Sequence, residues 1–279
     1  MRMARDPCYR SPPAPEREWT MAIDAPDLFL LLREAKERPF HGAILTFGRQ
    51  DVTVDAPSFR RLAARLRVRE DALLPDRPGP LTDGEVLRAL GFSDVQSLDV
   101  NAYEGAGVLH DLNSPDVPPA ACGRYDVVFD RGTSEHVFHT PNMFVAAARL
   151  ARAGGRIIHL SPSTNHLDHG FFMFTPGLFE AFYSANGFEI ERLELVRYPW
   201  LDRRPTIESY RYDASRPCAG TAGRLDEAAY QVFCVARKTS SSTADRLPLW
   251  REDGLKPSAP GHRARGLRPD FPLASRTSL

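Results

Sequence analysis

Cysteine is scarce and scattered in this chain. Its four copies in 279 residues, Cys8, Cys122, Cys218 and Cys234, show no CxxC spacing, which argues against a disulfide framework and against a sulfur-ligated zinc site. Ordinary reduced thiols are expected. Surplus charge is missing as well: Lys plus Arg number 36 and Asp plus Glu 36, so no global positive field draws nucleic acid and no acidic excess keeps the whole chain unfolded. The basic residues are nearly all arginine, a bias read as genomic composition rather than phosphate recognition. Long apolar runs are also absent, and nothing approaches the roughly 18 uncharged apolar residues that a membrane span needs. The opening MRMARDPCYRSPPAPEREW lacks the apolar centre of a secretory signal. A cytoplasmic protein with neither a membrane nor a nucleic-acid partner is expected.

What is present, 42% hydrophobic and 26% charged residues, suits one α/β domain with appendages. Residues 1–20 are rich in Pro and Arg, and 239–279 mix a serine run with Pro, Gly and Arg; both read as disordered segments flanking a domain at 21–238. Within it, apolar spacing predicts helices at 27–36 and 58–67, and a buried strand at 43–47. A Pro-rich insertion near 68–82 follows, and Thr82 or Asp83 can cap a short helix at 85–90. Strands are then expected at 95–98, 107–109, 125–129, 156–160, 188–196 and 230–236, with helices at 141–152 and 176–186. A polar insertion occupies roughly 199–228. Alternation of this kind means a Rossmann-like, mostly parallel sheet with helices on both faces, and the closing strands suit an antiparallel edge.

Ligands of such sheets bind beyond the carboxyl ends of the strands, and this chain puts Asp99, Asp111 and Asp130 at three successive strand ends. An acid after the second strand can accept both hydroxyls of a ribose, although Asp99 is equally readable as a turn residue bonded to its own backbone. Asp111 can accept an exocyclic amine while Leu112 packs on the ring, or it can simply cap a turn. The segment YDVVFDRGTSEHVFHT, residues 125–140, is the most informative. A strand delivers Asp130 to a turn at Gly132, where backbone can approach a ligand closely, and then Glu135 and His136. A neutral imidazole at His136 can act as a general base near neutral pH; packing is its plainer role. Beyond the following strand, His169 and the run GFFMF, with Phe171, can wall an acceptor pocket or cover the core beneath a loop.

GFSDVQSLDVNAYEGAGVLHDLN, YDVVFDRGTSEHVF and LARAGGRIIHLSPSTNHLDHGFFMFTPGLFEAFYSANGFEI, taken in their order and spacing, resemble a bacterial branch of the class I S-adenosylmethionine-dependent methyltransferases related to the methyltransferase type 11 group. The resemblance covers about residues 41–197. It implies a seven-stranded sheet and S-adenosylmethionine as methyl donor, with Asp99 on the ribose, Asp111 and Leu112 at the adenine, and the loop from Asp130 through Gly132 to His136 beneath the sulfonium. Where that family carries Gly-x-Gly-x-Gly after its first strand, this chain has Phe47-Gly48-Arg49-Gln50-Asp51. Arg49 can then reach the methionine carboxylate, with Gln50 adding a polar contact. His136 is expected to assist deprotonation of a small-molecule acceptor, and Glu135 to orient it or touch substrate.

Two other readings compete. His136 with His139 and His166 with His169 form two His-x-x-His pairs that suit a metal-dependent hydrolase, but no HExxH is present and Asp99 and Asp111 are left unexplained; no metal ligand set is therefore assigned. The single glycine at 48 suits a non-catalytic scaffold that keeps the fold.

Overall fold

A computed structural model of the chain describes residues 22–69, 74–198, 206–214, 225–249 and 273–278. The N-terminal segment expected to be disordered, 1–20, lies outside them. The first helix, α1 (Ala25–Glu37), is opened by Asp24, whose carboxylate accepts the Asp27 amide. Strand β1 (Ala43–Phe47) follows, then α2 (Ala56–Leu66), capped by Asp55 through the Ser58 amide. Helix α3 (Asp83–Ala89) begins with a reciprocal capping box between Thr82 and Glu85.

The rest alternates as the sequence pattern predicts: β2 (Asp94–Asp99), β3 (Val108–Leu109), β4 (Tyr125–Arg131), α4 (Thr140–Leu150), β5 (Ala151–Pro162), α5 (Pro176–Ala185) and β6 (Glu189–Arg197). Three further strands are β7 (Thr206–Arg211), β8 (Tyr230–Arg237) and β9 (Leu273–Ser278). They form one sheet in the order β3-β2-β1-β4-β5-β8-β6-β7-β9. Pairing is parallel from β3 through β5 and antiparallel from β5 to β9.

Alternation along the strands sorts the core into two layers. Ile44, Val127, Phe129, Ile158 and Phe233 face α1, α2 and α3 through residues such as Leu28, Phe59 and Val86. Their neighbours Leu45, Val128, Ile157, Val232 and Cys234 face α4 and α5 through Met143, Phe144 and Phe179. Helices therefore cover both faces, as expected.

The sheet has nine strands, not seven. Strand β7 lies inside the stretch that composition marks as a polar insertion, and β9 inside the tail expected to be disordered. Both escape hydrophobic periodicity because polar groups satisfy one another there. Ser209 hydrogen-bonds Glu194, and Arg276 on β9 pairs with Glu208 on β7 at 3.2 Å. The tail is also anchored just after β8, where the buried Asn186 side chain accepts from Arg246 N at 3.0 Å and donates to Arg246 O at 2.9 Å. Among the described residues, no helix is long and apolar enough to cross a membrane.

Candidate functional site

Strand β1 pairs with β2 on one side and β4 on the other, so the strand order reverses at β1/β4. The crevice beyond the carboxyl ends at such a switch point is where doubly wound sheets bind ligands. Gly48 leaves β1 there with φ +68, and a Cβ at this position would meet nothing closer than Thr133 Oγ1 at 3.6 Å. The Gly48 amide donates to Leu98 O at 2.8 Å, and Thr133 Oγ1 donates to Phe47 O at 2.7 Å. These bonds fix the rims of the crevice on either side of the glycine.

Arg49 does not reach freely into that crevice. It grips Asp83, the first residue of α3, in a bidentate fork of 2.7 and 2.6 Å. Burial pushes the Asp83 carboxyl upward, but the Arg49 fork and the Gln50 amide outweigh it and hold the group below the usual carboxylate range. The same hydrogen bonds raise Arg49. Arg49, Gln50, Asp83, Thr82 and Glu104 line a cleft of about 460 Å³. Gln50 donates to Phe47 O at 3.0 Å, while its buried Oε1 accepts no hydrogen bond.

Asp99 ends β2 half-buried. Its Oδ1 takes the Val100 amide at 2.6 Å and the Asn101 amide at 3.5 Å; its other oxygen makes no hydrogen bond among the described residues. Asp111, exposed beyond β3, accepts from both Asn113 N and Asn113 Nδ2 through Oδ1 at 2.8 and 2.9 Å. Those bonds lower its pKa. Both acids thus carry the plain turn role, each with one oxygen left over. Leu112 beside Asp111 is buried in the α4/α5 layer.

Asp130 sits deeper than its neighbours. It is fully buried, accepts Ser134 N at 3.1 Å, and faces His159 Nδ1 at 2.7 Å. His159 Nε2 in turn meets Tyr183 OH at 2.6 Å, and burial raises the Tyr183 phenol well above its ordinary range. This Asp130–His159–Tyr183 chain ties β4, β5 and α5 together beneath the crevice. Sequence reading missed it because a histidine inside an apolar strand carries no periodic signal. The next residue, Arg131, is also fully buried and pairs with Asp27 of α1 at 2.6 Å. Gly132 then turns the chain at φ +73.

A single 3-10 turn, Ser134–His136, follows. Glu135 is fully buried, and neither of its oxygens accepts a hydrogen bond. His136 is exposed. The loop after β5 folds over them, with Phe171 N and Phe172 N both donating to Glu135 O at 2.8 and 3.2 Å. Gly170 permits this approach, since a Cβ there would lie 2.9 Å from Glu135 O. The loop brings His169 Nε2 to 3.6 Å from Glu135 Oε1 and its ring to 5.5 Å from that of His136. One donor atom from each of Glu135, His136 and His169 lies within 4.8 Å of the others. Exposed Phe138 and Phe171 meet edge to face at 5.8 Å beside the cluster.

His166 lies 6.2 Å from His169, ring to ring; burial, then the nearby His169 and Arg131, lower its pKa to about 4. His139 stands apart, its amide bound to Asn113 Oδ1 at 3.0 Å. The structure thus gathers His136, His169 and Glu135, and it lines Gly48, Asp99, Asp111 and Gly132 along one edge of the sheet. It does not bring the two His-x-x-His pairs into one four-histidine set.

No family model and no curated protein matches the sequence. Among solved structures, the chain is similar to a protein of Bacillus halodurans described as a candidate methyltransferase, at 11% identity and a TM-score of 0.40, covering 77% of this chain and 100% of that one. It is similar to the YcgJ protein of Bacillus subtilis at 12% identity and a TM-score of 0.39, covering 76% and 98%. A third likeness is to phosphoethanolamine N-methyltransferase 2 of Haemonchus contortus, solved with S-adenosyl-L-methionine, at 12% identity and a TM-score of 0.40, covering 77% and 53%.

Proposed function

We propose that the protein transfers a methyl group from S-adenosylmethionine to a small-molecule acceptor. The observation that carries this reading is the alignment of Gly48, Asp99, Asp111 with Leu112, and Gly132 along the carboxyl ends of four adjacent parallel strands, around the β1/β4 switch point. The cofactor's three parts find matching groups. The left-handed turn at Gly48, which carries no side chain, and the orphaned Gln50 Oε1 suit the methionine end with its ammonium. The spare oxygen of Asp99 suits a ribose hydroxyl, and that of Asp111 suits the adenine amine. Arg49, held by Asp83, acts through the charge of the fork's outer edge rather than by direct reach.

When bound, S-adenosylmethionine supplies a methyl group on a sulfonium that leaves readily, so the protein's task is to position the acceptor and exclude water. Gly132 lets the backbone approach the reacting end, and Asp130, locked by His159 and Ser134, holds that turn rigid rather than touching ligand. Phe138 and Phe171 offer the acceptor an aromatic wall, with His169 at its base. His136, exposed at the rim, takes the acceptor's proton.

Calorimetric titration with S-adenosylmethionine tests this reading. The expected result is one site per chain, weakened at least tenfold by Asp99→Ala, as a lost charged hydrogen-bond partner of about 1.5–3 kcal/mol implies. No heat with the wild-type protein at ~1 mM ligand, a Kd worth only about 4 kcal/mol, refutes the proposal.

A further inference from the structure

Among the described residues, Glu135 is a fully buried carboxylate beside the crevice that no hydrogen bond explains. Its side chain is fully buried, and neither oxygen accepts a bond, a state that costs several kcal/mol for an ionised group unless something compensates it. Arg131 is close enough to interact electrostatically but is engaged with Asp27. His169 Nε2, itself buried and making no hydrogen bond, lies 3.6 Å from Glu135 Oε1. That separation is long for a hydrogen bond. It matches two ligands of one metal ion, since bonds of about 2.0–2.1 Å at a tetrahedral angle place ligand atoms about 3.4 Å apart. A ring nitrogen of His136 completes the set: one oxygen of Glu135 and one nitrogen from each histidine all lie within 4.8 Å of one another.

We propose that Glu135, His136 and His169 bind a first-row divalent transition-metal ion of the zinc, cobalt or iron class. Two imidazoles and one carboxylate are the donor set such ions favour, and three protein ligands leave a position for an exchangeable oxygen ligand. The scaffold is prepared for the ion. Two backbone amides of the 163–174 loop hold the Glu135 carbonyl, Gly170 permits that contact, and the third donor, His136, is exposed. An acceptor oxygen taken up at the open position would be polarised and more readily deprotonated. With the ion bound His136 is a ligand, and its imidazole is available as a base in the metal-free protein. Metal binding at these three residues can be read without the methyl-transfer reaction, because it needs neither S-adenosylmethionine nor an acceptor.

The test uses full-length protein stripped with a chelator and titrated with Co²⁺ while visible absorption is recorded, with Zn²⁺ as competitor and no S-adenosylmethionine present. The expected result is one equivalent of Co²⁺ giving d–d bands, displaced by Zn²⁺. Glu135→Gln, His136→Ala and His169→Ala should each weaken binding at least tenfold, and His139→Ala should leave it unchanged. A second readout separates ligation from folding: Glu135→Gln should raise the melting temperature of the metal-free protein while abolishing the rise that Zn²⁺ produces in the wild type. Absence of stoichiometric binding in the wild type overturns the proposal. So does an affinity unaltered in both His136→Ala and His169→Ala, which puts the ion elsewhere. Either outcome leaves the cofactor titration standing, so the two readings fail separately.

Discussion

Replacing Arg131 with Met tests whether the loop after β4 is held from below by charge. The guanidinium and its partner Asp27 are both fully buried at 2.6 Å, and Asp27 also accepts the Tyr198 hydroxyl. Methionine keeps most of the volume, so the loss is chiefly electrostatic: an uncompensated carboxylate remains in the core. Breaking one side of such a pair costs about 3–5 kcal/mol, or roughly 6–20 °C in Tm for a domain of this size. Burial pushes the Asp27 carboxyl upward and Arg131 pulls it back. Without Arg131 the folded-state pKa rises further above the unfolded value. The variant therefore carries its largest deficit at high pH, and the deficit shrinks as pH falls and Asp27 takes up a proton. Thermal and urea melts at pH 8 and pH 5 read this directly. Arg38→Ala is the control, because Arg38 and Glu191 pair at the surface and such pairs are worth at most about 1 kcal/mol. Asp27→Asn combined with Arg131→Met should recover about 2 kcal/mol relative to the sum of the single changes. Additivity within ~0.5 kcal/mol, or a loss in Arg131→Met no greater than in Arg38→Ala, refutes the reasoning.

Two further outcomes follow from the site. His136→Ala should lower turnover with an acceptor while S-adenosylmethionine affinity stays near wild type, since His136 is exposed at the rim; collapse of cofactor binding would make it structural. His166, whose pKa is lowered to about 4, must be neutral in the folded protein, whereas the unfolded chain protonates it below about 6.5. Stability should fall as pH drops from 6.5 toward 4, by at most about 3 kcal/mol in total. His166→Asn should flatten that slope in urea melts, and an unaltered slope would remove His166 as its source.

The sequence made the sheet legible wherever apolar residues alternate. Leu45 and Ile44, or Val127 and Val128, declare two covered faces without any structure, and Thr82 with Glu85 declares the start of α3. Strand-end acids were legible for the same reason: Asp99 and Asp111 follow short apolar runs. What stayed hidden depends on partners distant in the chain. Asp27 lies 104 residues from Arg131, His159 finds Asp130 and Tyr183 only once β4, β5 and α5 pack, and Asp83, beyond α2, diverts Arg49 from 34 residues away. Strands β7 and β9 pair through polar contacts that erase the two-residue period. Glu135 and His136 were visible as a pair of functional residue types, but the approach of His169 needed the fold of the loop through Gly170.

Hydrogen–deuterium exchange with and without S-adenosylhomocysteine tests the central claim most directly, because it reports where the ligand lies. The account predicts protection of peptides spanning 47–52, 99–113 and 130–136, and weaker protection in the Asp99→Ala protein. A second cleft of about 540 Å³, lined by Glu180, Ser184, Ile190 and Arg211, gives the contrast. Protection confined to that cleft, or none at any of the three strand ends, would contradict the assignment of the β1/β4 crevice.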